Sequence, residues 1–202
     1  MQTLSSVRQI DFIVINTDAE NLILKNGFSP NEKTIVRERK KEICGDFVSM
    51  NKIIEDDINA VKSDVYIMTH TTNPLISVKT IQDALSAFIE NWKAGKCDSL
   101  FTVNKVQTRF YTKDCKPVNH NPACLIRTQD VEPWFEENSN LYIFTKESFL
   151  STQSRIGKMP MLFETPRHES IDIDDQWSWD LAENFAKTNE LSHKAQTSSA
   201  ER

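Results

Sequence analysis

The chain has 202 residues and a net charge of −5, with 39% hydrophobic and 26% charged residues. These values are ordinary for a soluble globular protein of one domain that can bury a real core. The lack of a basic block argues against a nucleic-acid-binding surface, and no apolar run approaches the length of a membrane span. We therefore expect neither nucleic acid nor a membrane among its partners.

The N-terminus and the cysteines indicate the compartment. The opening residues, MQTLSSVRQIDF, contain no apolar signal-peptide region, so secretion is not expected. The four cysteines form no CxxC pair, and no histidine lies at zinc-finger spacing from them. Free thiols of this kind are typical of a reducing cytoplasm, where we expect the protein to be.

Strands and helices alternate over the first half of the chain. The pattern predicts strands at 11–17, 33–39, 64–70 and 98–104 and helices at 18–27, 46–62 and 77–95. Asp18 and Ser77 are the predicted N-caps of the first and last helices, which end at Gly27 and Gly95. Residues 1–10 read as the end of a helix that leads into the first strand. The alternation predicts a three-layer α/β/α, Rossmann-like domain with a largely parallel sheet.

The alternation breaks in the second half. Residues 105–139 have little periodicity, and a stretch of this length is usually functional or an appended subdomain. The pattern then predicts strands at 140–146, 161–165 and 170–174. A helix follows from about Gln176 to Thr188, and residues 191–202 form a polar tail.

Glycine is scarce, with four residues in the 202. Neither G-x-G-x-x-G nor G-x-x-x-x-G-K-[ST] occurs among them. If the protein binds a nucleotide, it does so without a glycine loop of either type in these residues.

Two carboxylates stand out near the C-terminus, in the segment SIDIDDQWSWDLAE. Asp172 and Asp174 alternate with Ile171 and Ile173, so in a strand the acids would share one face and the isoleucines the other. Carboxylates roughly 7 Å apart at the backbone repel unless a cation lies between them. Mg²⁺ suits such oxygen ligands, together with substrate phosphates. The alternative is a solvent-facing strand edge in which Asp174 or Asp175 caps the next helix.

A polar turn follows the strand at 64–70. It contains His70, Thr71, Thr72 and Asn73. Open α/β sheets bind ligands beyond the carboxyl ends of their strands, so these side chains are candidates for a ligand site. An ordinary polar loop explains them as well.

Two more segments carry candidate binding residues. Arg39 and Lys40 follow the strand at 33–39 and could hold a phosphate or a base edge, or be solvated charges. A second segment, LIRTQDVEPWFEENSNLYIF, includes Arg127, Gln129, Asn138 and Tyr142. That mixture suits a polyhydroxylated acid, although a turn with a subunit contact explains it equally well.

Five of these stretches occur in an order that resembles the acylneuraminate cytidylyltransferase family. They are INTDAENL, RKKEICGD, MTHTTNPLI, RTQDVEPWFEENSNLYI and SIDIDDQWSWDLAE. The resemblance covers roughly residues 8–186. The matched positions are Arg39, Glu42 and Asp46; Thr72, Pro74 and Leu75; Arg127, Gln129, Pro133, Asn138 and Tyr142; and Asp172, Asp174, Asp180, Ala182 and Glu183.

The resemblance implies a nucleotidyltransferase fold and a reaction in which an acid sugar of the sialic acid type attacks the α-phosphate of CTP and pyrophosphate leaves. It implies that Asp172 and Asp174 are catalytic and hold Mg²⁺ or Mn²⁺. It places Arg39 and Ser49 by the nucleotide. The predicted sugar contacts are His70, Thr72, Arg127, Gln129, Asn138 and Tyr142.

The resemblance also implies a domain organisation. Residues 1–190 would form the cytidylyltransferase domain, and residues 105–139 would be an arm that reaches into the neighbouring subunit of a homodimer.

The sequence departs from the family pattern at several positions. The family's opening strand and its basic phosphate-binding loop have no counterpart, so we expect the domain to be incomplete at its N-terminus and its activity to be impaired. His70 replaces a Gln, Ile76 replaces an Arg, and Asn138–Ser139 replaces an Asn-Gly pair. The alternative is a non-catalytic relative that dimerises or binds a ligand. A third reading is a sugar-nucleotide transferase that uses another base.

Overall fold

The computed structural model describes the backbone of residues 2–200 and the side chains of residues 2–188. The helices are α1 (Gln2–Ser5), α2 (Glu20–Lys25), α3 (Met50–Ala60), α4 (Val78–Lys93), α5 (Lys146–Thr152) and α6 (Gln176–Ala200). The strands are β1 (Ile13–Thr17), β2 (Thr34–Glu38), β3 (Tyr66–Thr69), β4 (Ser99–Val106), β5 (Trp134–Phe144) and β6 (Pro160–Glu164). Short 3₁₀ helices occupy Lys41–Ile43, Thr128–Asp130 and Arg167–Glu169.

The strands form two separate sheets. β1 and β2 pair in parallel, from Ile13 opposite Thr34 to Thr17 opposite Glu38. The other four strands lie in the order β3-β5-β4-β6. The predicted alternation of strands and helices is present over the first half of the chain, and β3 runs antiparallel to β5 within this sheet.

The chain divides into two compact units. The first contains residues up to Thr69, Ile76–Phe101 and Leu141–Met161. In its core, Ile54 and Ile58 of α3 pack with Phe144 and Phe149. These apolar positions lie four residues apart on α3, as expected for one face of a helix.

Helix α4 forms as the sequence predicts. The Ser77 hydroxyl accepts a hydrogen bond from the Thr80 backbone N–H, which satisfies one free donor of the first turn. Ile81, Leu85 and Phe88 are buried at helical spacing. Gly95, at φ 68°, ends the helix in the left-handed region that glycine adopts without a steric cost.

Asp98 anchors the loop between α5 and β6 in the first unit. Its carboxylate accepts hydrogen bonds from the backbone N–H groups of Lys158, at 2.8 Å, and Met159, at 3.0 Å. The neighbouring Ser99 hydroxyl accepts one from the Gly157 N–H at 2.8 Å. A carboxylate that satisfies two backbone donors fixes the path of this loop.

The second unit contains His70–Leu75, Thr102–Asn140 and the residues from Leu162 onward. Much of 105–139 is irregular but tied down. The Gln107 side-chain amide donates to the backbone carbonyls of Gln129, at 2.7 Å, and Val131, at 2.8 Å. An isolated bridge joins Tyr111 to Pro117. The assignment of residues 105–139 as a dimerisation arm stays a prediction. The extent of the predicted cytidylyltransferase domain, residues 1–190, also stays a prediction.

Four elements differ from the predictions. Asp18 does not cap α2, because the helix begins later and the Thr17 hydroxyl accepts the Ala19 N–H instead. β5 begins at Trp134, inside the predicted irregular stretch, and α5 was not predicted. α6 continues to Ala200, so most of the predicted polar tail is helical, and residues 201–202 lie outside the described part of the chain.

The predicted strand at 170–174 is absent. The Ile173 N–H donates to the Thr72 carbonyl at 2.9 Å, but no ladder forms around this bond. A strand requires repeated pairing with a neighbour, and this extended segment leads directly into α6. Within residues 2–200, no helix is both long and apolar enough to cross a membrane.

Candidate active site

The segment at 169–173 is held in the second unit by two asparagine side chains. The Asn140 side-chain amide donates to the Glu169 carbonyl at 3.0 Å, and the Asn73 amide donates to the Ile171 carbonyl at 3.4 Å. Both asparagines are buried, and each leaves its Oδ1 without a hydrogen-bond partner. The backbone that leads into Asp172 is therefore held at two carbonyls, those of Glu169 and Ile171.

Of the two predicted capping residues, Asp174 and Asp175, it is Asp175 that forms the N-cap of α6. Its carboxylate accepts a hydrogen bond from the Ser178 N–H at 2.8 Å, and the Ser178 hydroxyl accepts from the N–H groups of Asp174 and Asp175. This reciprocal arrangement is a capping box. The hydrogen bonds from Ser178 hold the pKa of Asp175 below its usual value. Asp175 thus has a structural role, while the Asp174 side chain is exposed.

Because Asp175 caps α6, Asp172 and Asp174 are the two acids of this segment that remain as candidate metal ligands. Neither forms an ion pair within the described residues, and Asp172 Oδ1 is buried without a hydrogen-bond donor. Buried polar atoms are nearly always satisfied, so this oxygen needs a partner such as water or a bound ligand. A hard divalent cation fits the chemistry of a carboxylate oxygen. Residues 2–188 contain no group of three or more His, Cys, Asp or Glu placed around a metal.

Asn138 lies beside the same segment, in a hydrogen-bonded cluster of polar side chains. Its amide donates to Asn104 Oδ1 at 3.0 Å and to the Thr165 hydroxyl at 2.7 Å. The Ser170 hydroxyl donates to Asn104 Oδ1 at 2.8 Å. The cluster links β4, β5 and the residues preceding Asp172.

Ser139 has a backbone conformation that favours glycine, which is the residue that the resemblance leads us to expect here. Its φ is 57°, in the left-handed region that costs an L-residue about 1–2 kcal/mol. The kink lies within β5, between two buried asparagines, Asn138 and Asn140. A serine therefore keeps the local geometry at a small cost in stability.

Arg39 lies in the first unit, just after β2. Its Nε donates to Asn16 Oδ1 at 3.1 Å and its Nη2 donates to the Asn16 carbonyl at 2.7 Å. The Asn16 amide donates in turn to Asp57 at 2.8 Å. β1, the end of β2 and α3 are thereby joined by polar contacts.

Charged side chains extend this set of contacts. Arg37 pairs with Asp57 and with Asp56, the latter at 2.7 Å, and Lys40 pairs with Asp56 at 2.5 Å. Hydrogen bonding to Lys40 holds the pKa of Asp56 below its usual value. Burial raises the pKa of Asp57 even though Asn16 and Arg37 oppose the shift.

These opposite shifts predict opposite pH effects on stability. Asp56 stabilises the fold above its unfolded pKa of about 3.9, and the contribution is lost as the pH falls through its lowered folded pKa. Asp56→Asn should therefore cost about 1 kcal/mol at pH 7, allowing for solvent screening of Lys40, and little near pH 2. The contribution of Asp57 is complete below about pH 3.9 and is lost as the pH rises through its raised pKa. The loss in free energy of unfolding caused by Asp57→Asn should therefore be smaller at pH 7 than at pH 2.

Urea unfolding of both variants at several pH values between 2 and 7 measures these trends. Trends of the same sign in the two variants would contradict the assignment.

The structure places the other predicted site residues in three settings. His70 is half-buried and Thr72 is exposed in the turn that contacts Ile173. Arg127 is exposed and forms a bidentate pair with Asp130, and the Gln129 carbonyl is bonded to Gln107. Thr72 and Asn138 therefore belong to the group of residues that contact the segment around Asp172. Arg127 and Gln129 belong to a different group of hydrogen-bonded residues, within 105–139.

The remaining two predicted residues lie in the first unit. The Ser49 hydroxyl caps α3 by accepting the Asn51 N–H. Tyr142 has a relative exposure of 0%, and the Arg155 guanidinium lies 3.8 Å from its ring centroid. Tyr142 thus packs in the core, and the binding roles of both residues stay predictions.

Sequence reasoning missed several residues that organise these sites. Asn104 and Asn140 pair with residues distant in sequence, and no local pattern reveals this. Asn16 did give a signal, since it is an amide inside the otherwise apolar run FIVIN. Asp57 gave a second signal: it is an acidic residue on α3 between Ile54 and Ile58, on the side of the helix that becomes buried.

Comparison with known proteins identifies the relatives of this chain. No profile of a known protein family matches it. N-acylneuraminate cytidylyltransferase A of Danio rerio is 28% identical over 156 residues, which are 73% of this chain and 35% of that protein. Post-translational flagellin modification protein B of Campylobacter coli is 24% identical over 196 residues, covering 90% of this chain and 80% of that protein.

The predicted resemblance to the acylneuraminate cytidylyltransferases is confirmed. The chain spans about a third of the zebrafish relative and four-fifths of the Campylobacter one. Sequence identity at this level extends over most of the stretch that carries the five motifs.

Solved structures confirm the nucleotidyltransferase-like α/β fold. A CMP:2-keto-3-deoxy-manno-octonic acid synthetase in complex with CTP has a TM-score of 0.60 at 11% identity, covering 93% of this chain and 86% of its own. A 4-diphosphocytidyl-2C-methyl-D-erythritol synthase from Anaerococcus prevotii has a TM-score of 0.58 at 14% identity, covering 92% and 83%.

Proposed function

We propose that the chain is a cytidylyltransferase that transfers CMP from CTP to an acid sugar of the sialic acid type and releases pyrophosphate. The observation that supports this most directly is Asp172. It stands in the matched segment with a buried carboxylate oxygen, Oδ1, that no group among the described residues satisfies. The similarity to acylneuraminate cytidylyltransferases supplies the substrate class.

The proposed chemistry relies on positioning and electrostatics. The anomeric hydroxyl oxygen of the sugar bonds to the α-phosphorus of CTP as the bond to pyrophosphate breaks. Asp172 and Asp174 would hold Mg²⁺ or Mn²⁺, which when bound neutralises triphosphate charge. Asn73 and Asn140 hold the backbone that leads into Asp172.

Arg39 would supply positive charge to the nucleotide. The polar turn at Thr72 and the cluster around Asn138 adjoin the Asp172 segment, on the side where we propose that the sugar binds. The binding roles that the resemblance implies for Ser49, His70, Arg127, Gln129 and Tyr142 stay predictions.

The alternative is a non-catalytic relative that binds a ligand or dimerises. Two observations favour it. Tyr142 is fully buried, and Arg127 is engaged with Asp130, so neither side chain is presented to a sugar in this conformation.

A pyrophosphate-release assay separates these functions. The purified chain is incubated with Mg²⁺ and CTP, and with UTP or ATP in parallel, against a panel of eight- and nine-carbon acid sugars. Release with CTP and one sugar supports the proposal. CTP binding without release from any nucleotide supports the non-catalytic relative, and release with another nucleotide only overturns the choice of base.

We further propose that the chain forms a homodimer through residues 105–139 and works in the cytoplasm. All four cysteines are free, which suits a reducing compartment. The 105–139 segment exposes Leu125, at 83%, together with Ile126, Trp134 and Phe135. Exposed apolar side chains grouped in one segment mark a protein contact.

Leu125→Lys should weaken this self-association at least about tenfold, because it places a charge in an apolar contact. Sedimentation of the wild type and the variant at micromolar concentration measures the effect. Leu150→Lys is the matched control, since Leu150 is also exposed but lies on α5. A monomeric wild type would contradict the proposed dimer.

A further inference from the structure

Arg39 is bound to the protein along one edge of its guanidinium group. Nε and one Nη2 hydrogen donate to the side-chain and backbone oxygens of Asn16, at 3.1 and 2.7 Å. Nη1 has no partner within the described residues, and a guanidinium has five N–H donors in a rigid plane. The free edge, formed by Nη1 and the second Nη2 hydrogen, can therefore donate two parallel hydrogen bonds, and Arg39 is half-buried.

Asn16 is itself held in a single orientation. Its amide nitrogen faces Asp57 at 2.8 Å, and a carboxylate can only accept, so the Asn16 oxygen must point toward Arg39. Arg37 donates to the same Asp57 oxygen, Oδ1, and also pairs with Asp56. Partial burial strengthens each of these contacts compared with water.

We infer that Asn16 and Asp57 are positioning residues that aim the free edge of Arg39 at acceptor atoms of the bound nucleotide. The inference rests on the proposed function, because it takes the ligand of Arg39 to be CTP. Orienting the guanidinium before the ligand arrives removes the cost of ordering a long side chain on binding. Asn16 and Asp57 make no contact with the nucleotide in this arrangement and act only through Arg39.

A purely structural network is the competing explanation. The same contacts join β1 to β2 and α3, so they also stabilise the first unit. The two explanations differ in whether the effect of Asn16 on nucleotide affinity requires Arg39.

A double-mutant cycle on CTP affinity tests this difference. Calorimetric titration with CTP and Mg²⁺ is performed on the wild type, Asn16→Leu, Arg39→Met and the double variant, with no sugar present. Arg39→Met should weaken CTP about tenfold or more. Asn16→Leu should weaken CTP severalfold when Arg39 is present and should have no further effect in the Arg39→Met background. Equal effects in both backgrounds, or none in either, would overturn the inference.

Asp57 offers a conservative comparison. Asp57→Asn retains an oxygen that can accept from the Asn16 amide, so CTP affinity should stay near the wild-type value. Asp57→Leu removes that oxygen and should behave as Asn16→Leu does. Thermal unfolding of every variant shows whether it is folded at the titration temperature.

A second measurement does not depend on CTP. The Arg39 Nε–H gives its own signal in ¹H–¹⁵N spectra, and its hydrogen bond to Asn16 should slow its exchange with water. The slow exchange should be lost in Asn16→Leu and kept in Asp57→Asn. A protein that binds no CTP but shows this pattern would refute the proposed function while confirming the positioning of Arg39; fast exchange in the wild type would refute the positioning itself.

Discussion

Asp172→Asn should lose at least about 100-fold in the rate of pyrophosphate release, the scale seen when one preorganised electrostatic group is removed from an active site. The amide is the same size but carries no charge, so it binds a divalent cation poorly. The buried Oδ1 of Asp172, which no protein donor satisfies, makes this position more sensitive than an exposed acid. Steady-state kinetics and Mn²⁺ titration in the presence of CTP measure the loss.

Asp83→Asn is the matched control for this experiment. It removes an exposed carboxylate on α4 that is paired with Lys79. Its rate and its Mn²⁺ affinity should match those of the wild type. Unchanged Mn²⁺ affinity in both Asp172→Asn and Asp174→Asn would exclude the metal role of the pair.

Gly157→Ala should destabilise the protein by about 2–3 kcal/mol, the upper range for adding a methyl group to a packed site. A Cβ at Gly157 would overlap Asp98 Oδ1 and Ser148 Oγ and lie 2.6 Å from Asp98 Cγ. Neither side chain can easily move, because Asp98 is bonded to two backbone N–H groups and Ser148 is buried. The urea midpoint of unfolding should fall accordingly.

Gly95→Asn provides the comparison for Gly157→Ala. Gly95 has space around it and a φ of 68°, which asparagine tolerates better than most residues. Its loss of stability should be well below that of Gly157→Ala. A Gly157→Ala variant as stable as the wild type would show that the Asp98 loop can shift.

The sequence predicted the regular elements well where local signals agree. Helix α4 has apolar spacing, a serine cap and a terminal glycine that all indicate the same boundaries, and the structure confirms them. α5 was missed because its cap, Thr145, directly follows a strand and the helix has only seven residues. The segment at 170–174 alternates like a strand, yet whether it pairs depends on Thr72, a neighbour about a hundred residues away.

The candidate site was predictable only in part. Alternation and resemblance both selected Asp172, and its Oδ1 has no hydrogen-bond partner among the described side chains. The asparagines that hold the backbone before it were outside the reach of pattern analysis, because the Asn140–Glu169 and Asn73–Ile171 contacts join residues 29 and 98 positions apart. Packing roles such as that of Tyr142 likewise emerge only when the chain is folded.

The separation of β1 and β2 from the other strands has a consequence for how the molecule opens. A two-stranded sheet is marginally stable by itself, so this pair depends on α3 and on the contacts of Arg37 and Asn16 to stay closed. Its backbone amides should exchange with deuterium through local openings that leave the core around Phe144 intact. Since Arg39 directly follows β2, any ligand that it holds binds only the closed form. The observed affinity is then the affinity of the closed form multiplied by the fraction of molecules that are closed.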